Sequence, residues 1–180
     1  MKFEKFTVKD IIFLAILSAV LMLAAGATMP LVMYNKLFGI RNIASSLVYG
    51  LFCMIGLMKV KKFGTLTIIG LFNGFILLMM APVMFWNMAL APIASELITF
   101  AIFKSYESDK AKVLASTLLI PLTIPVTLVF TMLLHGMTFS EVVTNPTASI
   151  ALCIGTVVIS YISSKLGQKL GIELQKAGKL

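Results

Sequence analysis

The sequence predicts an all-α integral membrane protein, a bundle of six transmembrane helices, on three observations. Of the 180 residues, 59% are hydrophobic and 12% charged, against about 25% charged in an ordinary soluble domain. The apolar residues come in uninterrupted blocks, each about 20 residues long, the length that crosses a bilayer as a helix. The basic residues sit in short clusters between those blocks, an arrangement typical of membrane surfaces and not of a nucleic-acid face, despite the net charge of +8.

The spans follow in order. Residues 11–35 carry no charge and run up to Lys36, which predicts a first span over 11–30. A second, over 43–58, stops at Lys59-Val60-Lys61-Lys62. Residues 63–103 contain one charge, Glu96. As a single helix that block would measure about 60 Å, twice the hydrocarbon thickness, so it must turn back. The stretch from Ala81-Pro82 to Trp86-Asn87 combines a helix breaker with an interfacial aromatic. Spans three and four are therefore expected over 64–80 and 88–103, span five over 113–134 and span six over 149–164. At this length six spans nearly exhaust the chain, which reads as a single transmembrane domain over 1–180 with no soluble domain appended.

An even number of crossings puts both termini on one side. Thirteen of the 15 basic residues fall there, and only Lys36 and Arg41 fall on the other. The positive-inside rule makes that side cytoplasmic and the location the cell membrane. The basic start, the apolar core and Ala25-Gly26-Ala27 resemble a cleavable secretory signal. The apolar run, however, continues past Pro30, and its removal would leave an odd number of spans. Cys53 and Cys153 both lie inside spans at no metal-ligand spacing and read as small buried apolar residues.

Lipid does not favour one apolar face over another, so small or polar residues at helical spacing mark faces turned to protein or to a cavity. Span one carries Ala15 and Ala19 one turn apart, with Gly26 on the same side; close helix packing and partner docking both fit. Span four carries Ala89, Pro92, Glu96 and Thr99 on one face. Glu96 is either a substrate hydrogen-bond or charge partner or a protonated glutamic acid bonded to a neighbouring helix, because a bare carboxylate at that depth costs several kcal/mol. Span five places Thr123, Thr127 and Thr131 at successive turns with His135 at its outer end, and Pro121 and Pro125 free backbone carbonyls that the surroundings must satisfy. Span six carries Ser149, Cys153, Thr156, Ser160 and Ser163 or Ser164, which fits a pocket or tight packing. With Asn73 the exception, the first three spans read as mostly apolar, so a ligand pocket is expected among the last three.

Outer residues expected to cover such a pocket are Tyr34, Asn35, Trp86, Asn87, His135 and Asn145. His135 has no second ligand at metal spacing, so no metal and no cofactor is expected. The 12 methionines read as adaptable packing or lining residues. No Gly-Lys-Ser/Thr phosphate loop, metalloprotease motif, nucleophile elbow or intramembrane carboxylate pair occurs, so neither ATP hydrolysis nor intramembrane catalysis is expected of the chain itself. A binding subunit that draws energy from partners fits better than a secondary carrier, which would be very small and poor in charge for ion coupling. A non-transport accessory protein is the third class.

Across essentially its whole length the sequence resembles the substrate-binding S components of energy-coupling factor (ECF) transporters. The resemblance rests on six short-looped spans, basic termini and Ala15-Ile16-Leu17-Ser18-Ala19 in span one. Leu57-Met58-Lys59-Val60-Lys61-Lys62-Phe63-Gly64 is similar, more specifically, to the Trep_Strep or MptE branch. The resemblance implies capture of a small micronutrient from outside, an EcfT-type membrane scaffold docked on span one at Ala15 and Ala19, and two cytoplasmic ATPase subunits. It also implies a toppling motion of the whole subunit, a site among spans four to six, and a lid over 31–41. Sharply defined motifs of thiamine, riboflavin, biotin or cobalamin binders are absent. The site residues expected on this basis are Glu96, Trp86, Asn87, Thr127, Thr131, His135, Tyr34, Asn35 and Asn145, with Trp86 or Tyr34 stacking on a largely apolar heterocycle or tetrapyrrole.

Overall fold

The computed structural model describes residues 5–28 and 40–178. Those residues form α1 (Val8–Thr28), α2 (Ile40–Lys59), α3 (Thr65–Leu78), α4 (Pro82–Phe103), α5 (Asp109–His135), the single turn α6 (Phe139–Val142) and α7 (Pro146–Lys176), with no strand among them. The breaks between helices have local causes. Gly64, at φ 98°, turns the chain from α2 into α3 in a conformation that favours glycine. Extended Ala81 followed by Pro82 at the first helical position starts α4. Gly136, in the left-handed region, stops α5. Asn145 caps α7, its Oδ1 accepting from the Ala148 N–H at 3.2 Å.

Among the described residues five helices are long and apolar enough to cross a membrane: α1, α2, α4, α5 and α7. The sixth apolar helix, α3, has 14 residues, about 21 Å of rise against a hydrocarbon core of about 30 Å. Where six similar crossings were expected, the described residues hold five helices of spanning length and one shorter apolar one.

Burial runs the way a bilayer demands. Large apolar side chains such as Ile16, Leu23, Leu97, Ile102, Ile150 and Ile154 are exposed around the outside. Small polar ones, including Ser18, Ser46, Ser95, Ser116, Ser160 and Ser164, are buried between helices. In lipid, close backbone approach and interhelical hydrogen bonds replace the hydrophobic effect as the source of helix association. Most buried hydroxyls bond to backbone carbonyls, as with Ser18 to Leu14 at 2.7 Å and Ser95 to Ala115 at 2.6 Å.

Two packing seams organise the bundle. The first joins α2 and α7, which run parallel: Gly155 faces Ile43, Gly50 faces Ser163, Gly167 faces Leu51 and Gly171 faces Met58. The Ser163 hydroxyl donates to the Leu47 carbonyl. A Cβ on Gly167 would lie 2.6 Å from the Leu51 carbonyl oxygen, so only glycine permits this approach. The polar stripe of the sixth span is therefore a packing ridge, and pairing continues through Gly171, beyond the expected end at 164. The second seam joins α3, α4 and α5. Gly70 of α3 sits against the Met88 carbonyl and the Pro92 ring of α4. Pro92 has no N–H to offer Met88, four residues earlier, so that carbonyl is free to face α3. On α5, Pro121 likewise releases the Thr117 carbonyl, and Ser160 of α7 donates to it at 2.8 Å. The carbonyl expected to need a partner has found one on the neighbouring helix.

The candidate functional site

The two ends of the bundle differ in chemistry. One end gathers the lysine clusters. There Lys62 pairs with Asp10 at 2.9 Å and donates to the Lys5 carbonyl at 2.9 Å, and Lys112 pairs with Asp109 at 2.7 Å. Glu96 lies buried toward this end. Its carboxylate reaches from α4 to the start of α3, accepting from the N–H of Gly64 at 3.1 Å, the N–H of Leu66 at 2.8 Å and the Thr67 hydroxyl at 2.7 Å. The first turn of a helix has N–H groups without intrahelical partners, and its dipole favours negative charge. Gly64 has no side chain with which to cap α3, and Glu96 supplies the cap from the next helix. The partner of Glu96 is thus the start of the neighbouring helix, and both of its oxygens only accept.

The opposite end holds a cavity of about 420 Å³, within the usual range for small-molecule sites. It is lined by the last turns of α1, the first half of α2, the end of α3, the start of α4 and the second half of α5. From α5 come Thr123, Thr127, Thr131 and His135, spaced one turn apart on one face. Asn87 and Met88 come from α4, beside Met80, Val83 and Met84. The α2 wall carries Arg41, Asn42, Ser45 and Tyr49, and α1 contributes Met22, Ala25 and Gly26.

Of the residues expected at the site, Asn87, Thr127, Thr131 and His135 are brought together around this cavity. Glu96, Trp86 and Asn145 do not line it. Glu96 is eight residues beyond Met88, about 12 Å along the helix, and occupied with α3. Trp86 is partly exposed and stacks on Phe130 with centroids 5.1 Å apart, within a cluster that includes Phe85 and Phe75. Such a group suits the membrane–water interface, where an amphipathic ring has both media within reach. Asn145 spends its side chain on the α7 cap. Tyr34, Asn35 and most of the lid over 31–41 lie outside the described residues; Arg41, at its end, lines the cavity. Ala15 is half-buried and Ala19 exposed, on the outer side of α1 among exposed Ile12, Ile16 and Leu23.

The cavity's place in the bundle also differs from expectation. It was expected among the last three spans, but no lining residue comes from α7, and α1 and α2 supply much of the wall. The front half is less apolar than it reads as a whole, because Asn42, Ser45 and Tyr49 recur at i, i+3 and i+7 on one face of α2. That spacing is visible in the sequence and is the signal that would have placed α2 at the site.

Three features define what the cavity can do. Its body is apolar and adaptable, with methionines on two sides. One wall is polar: Thr127 donates to the Thr123 carbonyl at 2.7 Å and Thr123 to the Ile120 carbonyl at 2.6 Å, and the Asn87 Oδ1 is buried without a hydrogen-bond partner. The mouth carries the exposed side chains of Arg41 and His135. No cluster of His, Cys, Asp and Glu able to hold a metal ion occurs among the described residues. The arrangement fits reversible binding of a small molecule. No protein-family model, no curated protein and no solved structure matches the chain.

Proposed function

We propose that this chain is the substrate-binding subunit of an ECF-type importer. On this reading it sits in the cell membrane with both termini in the cytoplasm, takes a small micronutrient into the cavity from outside, and delivers it inward. Energy comes from an EcfT-type scaffold and two cytoplasmic ATPase subunits. The observation that carries the reading is the position of the cavity, at the end of the bundle away from the lysine clusters. If the basic end is cytoplasmic, as charge bias dictates, the cavity faces the side from which a nutrient arrives. The exposed Ala19 and half-buried Ala15 on the outer side of α1 supply a low-profile surface on which a scaffold helix could approach closely.

The test is co-expression with scaffold and ATPase subunits, followed by affinity purification and an uptake assay. Ala15→Trp with Ala19→Trp is expected to abolish both co-purification and uptake while leaving the chain folded and its ligand bound. Unchanged assembly and uptake in that double variant would sink the docking role. Uptake by liposomes containing this chain alone would make it an autonomous carrier instead.

A further inference from the structure

The cavity has an apolar side and a polar one. Met22 of α1, Leu77 of α3 and Met84 and Met88 of α4 belong to the first. The second comes from α2 and α5, which pack directly on each other. They run antiparallel, since the start of α2 and the end of α5 both reach the cavity. Their register is set deeper in the bundle, where the Ser116 Oγ of α5 lies 3.8 Å from the Met54 Sδ of α2. Counting outward from that contact, Tyr49 is five residues on and Thr123 seven, while Ser45 is nine on and Thr127 eleven. The members of each pair are thus level to within about 3 Å of helical rise. Tyr49 with Thr123 and Ser45 with Thr127 make two rungs, one turn apart, on the polar wall.

The two halves of each rung differ in what they can give. The Thr123 hydroxyl donates to the Ile120 carbonyl at 2.6 Å and the Thr127 hydroxyl to the Thr123 carbonyl at 2.7 Å, so these oxygens offer a ligand only lone pairs. Tyr49 is only 4% exposed and lines the cavity, yet its hydroxyl has no hydrogen-bond partner among the described residues. The Ser45 hydroxyl is in the same condition. A buried phenol calls for a partner from whatever fills the space. The wall therefore presents hydrogens on its α2 side and bare acceptors on its α5 side, next to each other at one depth. A ligand of reversed polarity would set an acceptor against the threonine lone pairs and leave the α2 hydrogens unmet.

We infer that the cavity recognises the edge of a small cyclic amide, a ring carbonyl beside a ring N–H. The carbonyl accepts from Tyr49 and Ser45, the N–H donates to Thr123 and Thr127, and the apolar body of the ring packs on the methionines, whose thioethers suit flat rings. The inference rests on reading the cavity as a ligand site, and deepens the proposed function by naming the class of substrate and the residues that select it.

The test uses the full chain in lipid nanodiscs, without partner subunits, and four probes of similar size measured by calorimetry: dihydrocarbostyril, its N-methyl derivative, tetrahydroquinoline and dihydro-4-quinolone. Dihydrocarbostyril, with carbonyl and N–H adjacent, should bind most tightly. The N-methyl derivative lacks the donor and tetrahydroquinoline lacks the carbonyl, and each should bind about five- to tenfold more weakly, the scale of one hydrogen bond. Dihydro-4-quinolone, whose two groups lie across the ring from each other, should be weaker as well. Tyr49→Phe with Ser45→Ala should erase the advantage over tetrahydroquinoline and keep the advantage over the N-methyl derivative. Thr123→Val with Thr127→Val should do the reverse, with helical content and elution volume confirming that each variant is folded. Equal binding of dihydrocarbostyril and any other probe by the parent chain, an advantage that survives the variant meant to erase it, or no binding by any probe would overturn the inference. Because no partner is present, the expected preference combined with failed co-purification would refute the importer reading alone. Assembly and uptake without that preference would refute this inference alone.

Discussion

Removing the Glu96 carboxylate should unfold the protein more readily without weakening ligand binding. In Glu96→Ala the buried N–H of Leu66 and the half-buried N–H of Gly64 lose their acceptor, and the Thr67 hydroxyl loses its partner. At about 1–3 kcal/mol for each buried donor left unmet, the two amides alone put the loss near 4 kcal/mol. Glu96→Gln is a much smaller change: its amide oxygen can still accept from both N–H groups, and its NH₂ can donate to the Thr67 oxygen. What goes is the favourable charge at the start of α3, so the loss should be about 1 kcal/mol. Cys53 is fully buried and Cys153 only partly so, so in a Cys153→Ser background a thiol-reactive dye reads unfolding during a thermal ramp. Glu96→Ala should lower the midpoint by roughly 10 °C, Glu96→Gln by only a few degrees, and both folded variants should bind the ligand as the parent does. A Gln variant as unstable as the Ala variant, or a loss of affinity without a loss of stability, would refute the capping argument.

Three more expectations follow from the packing. Gly70→Ala forces a methyl group against the Met88 carbonyl and Pro92 and should cost about 1–3 kcal/mol, whereas Gly26→Ala, with nothing within 4 Å of the new atom, should melt like the parent. Ser160→Ala strands the Thr117 carbonyl that Pro121 released and should cost about 1–2 kcal/mol by the same thermal ramp; restoring an N–H with Pro121→Ala in the same chain should recover part of that loss. At α6 the backbone N–H of Thr138 holds the Glu141 carboxyl below the usual glutamate range. A lowered folded-state pKa contributes stability above the unfolded value that disappears as pH falls through the folded one. Hydrogen exchange at Glu141 and Val142 should therefore show lost protection on acidification, beyond the intrinsic pH dependence, and Glu141→Gln should flatten that added change.

The membrane architecture was legible because lysines and apolar blocks carry it directly. Helix ends were less so. The chain of α3 is apolar from 63 onward, yet left-handed Gly64 and the turn before Pro82 leave 14 helical residues, a limit set by backbone conformation and not by hydropathy. The stripe on α7 was visible, but a serine that lines a pocket and one that bonds a neighbour's carbonyl look alike until the neighbour is known. Asn87 and the row Thr127, Thr131, His135 were readable from position and spacing. The α2 wall was legible too, in the recurrence of Asn42, Ser45 and Tyr49, but the apolar average of the front half hid it. Glu96 shows the remaining gap: a lone intramembrane carboxylate draws attention by its cost, and nothing in the sequence says that the start of α3, 30 residues back at Leu66, is what offsets it.

The parallel pairing of α2 with α7 bears on how the protein is made. Every described residue around the cavity belongs to α1–α5 or the turn before α4, so these walls are encoded before the last helix leaves the ribosome. The glycine ridge that braces α2 comes last, and the Thr117 carbonyl has to wait for Ser160 to arrive. Synthesis therefore separates two tasks in time, building the chamber first and fastening it afterwards. A nascent chain halted before α7 would hold every described lining residue in a loose frame, and the final helix would brace that frame.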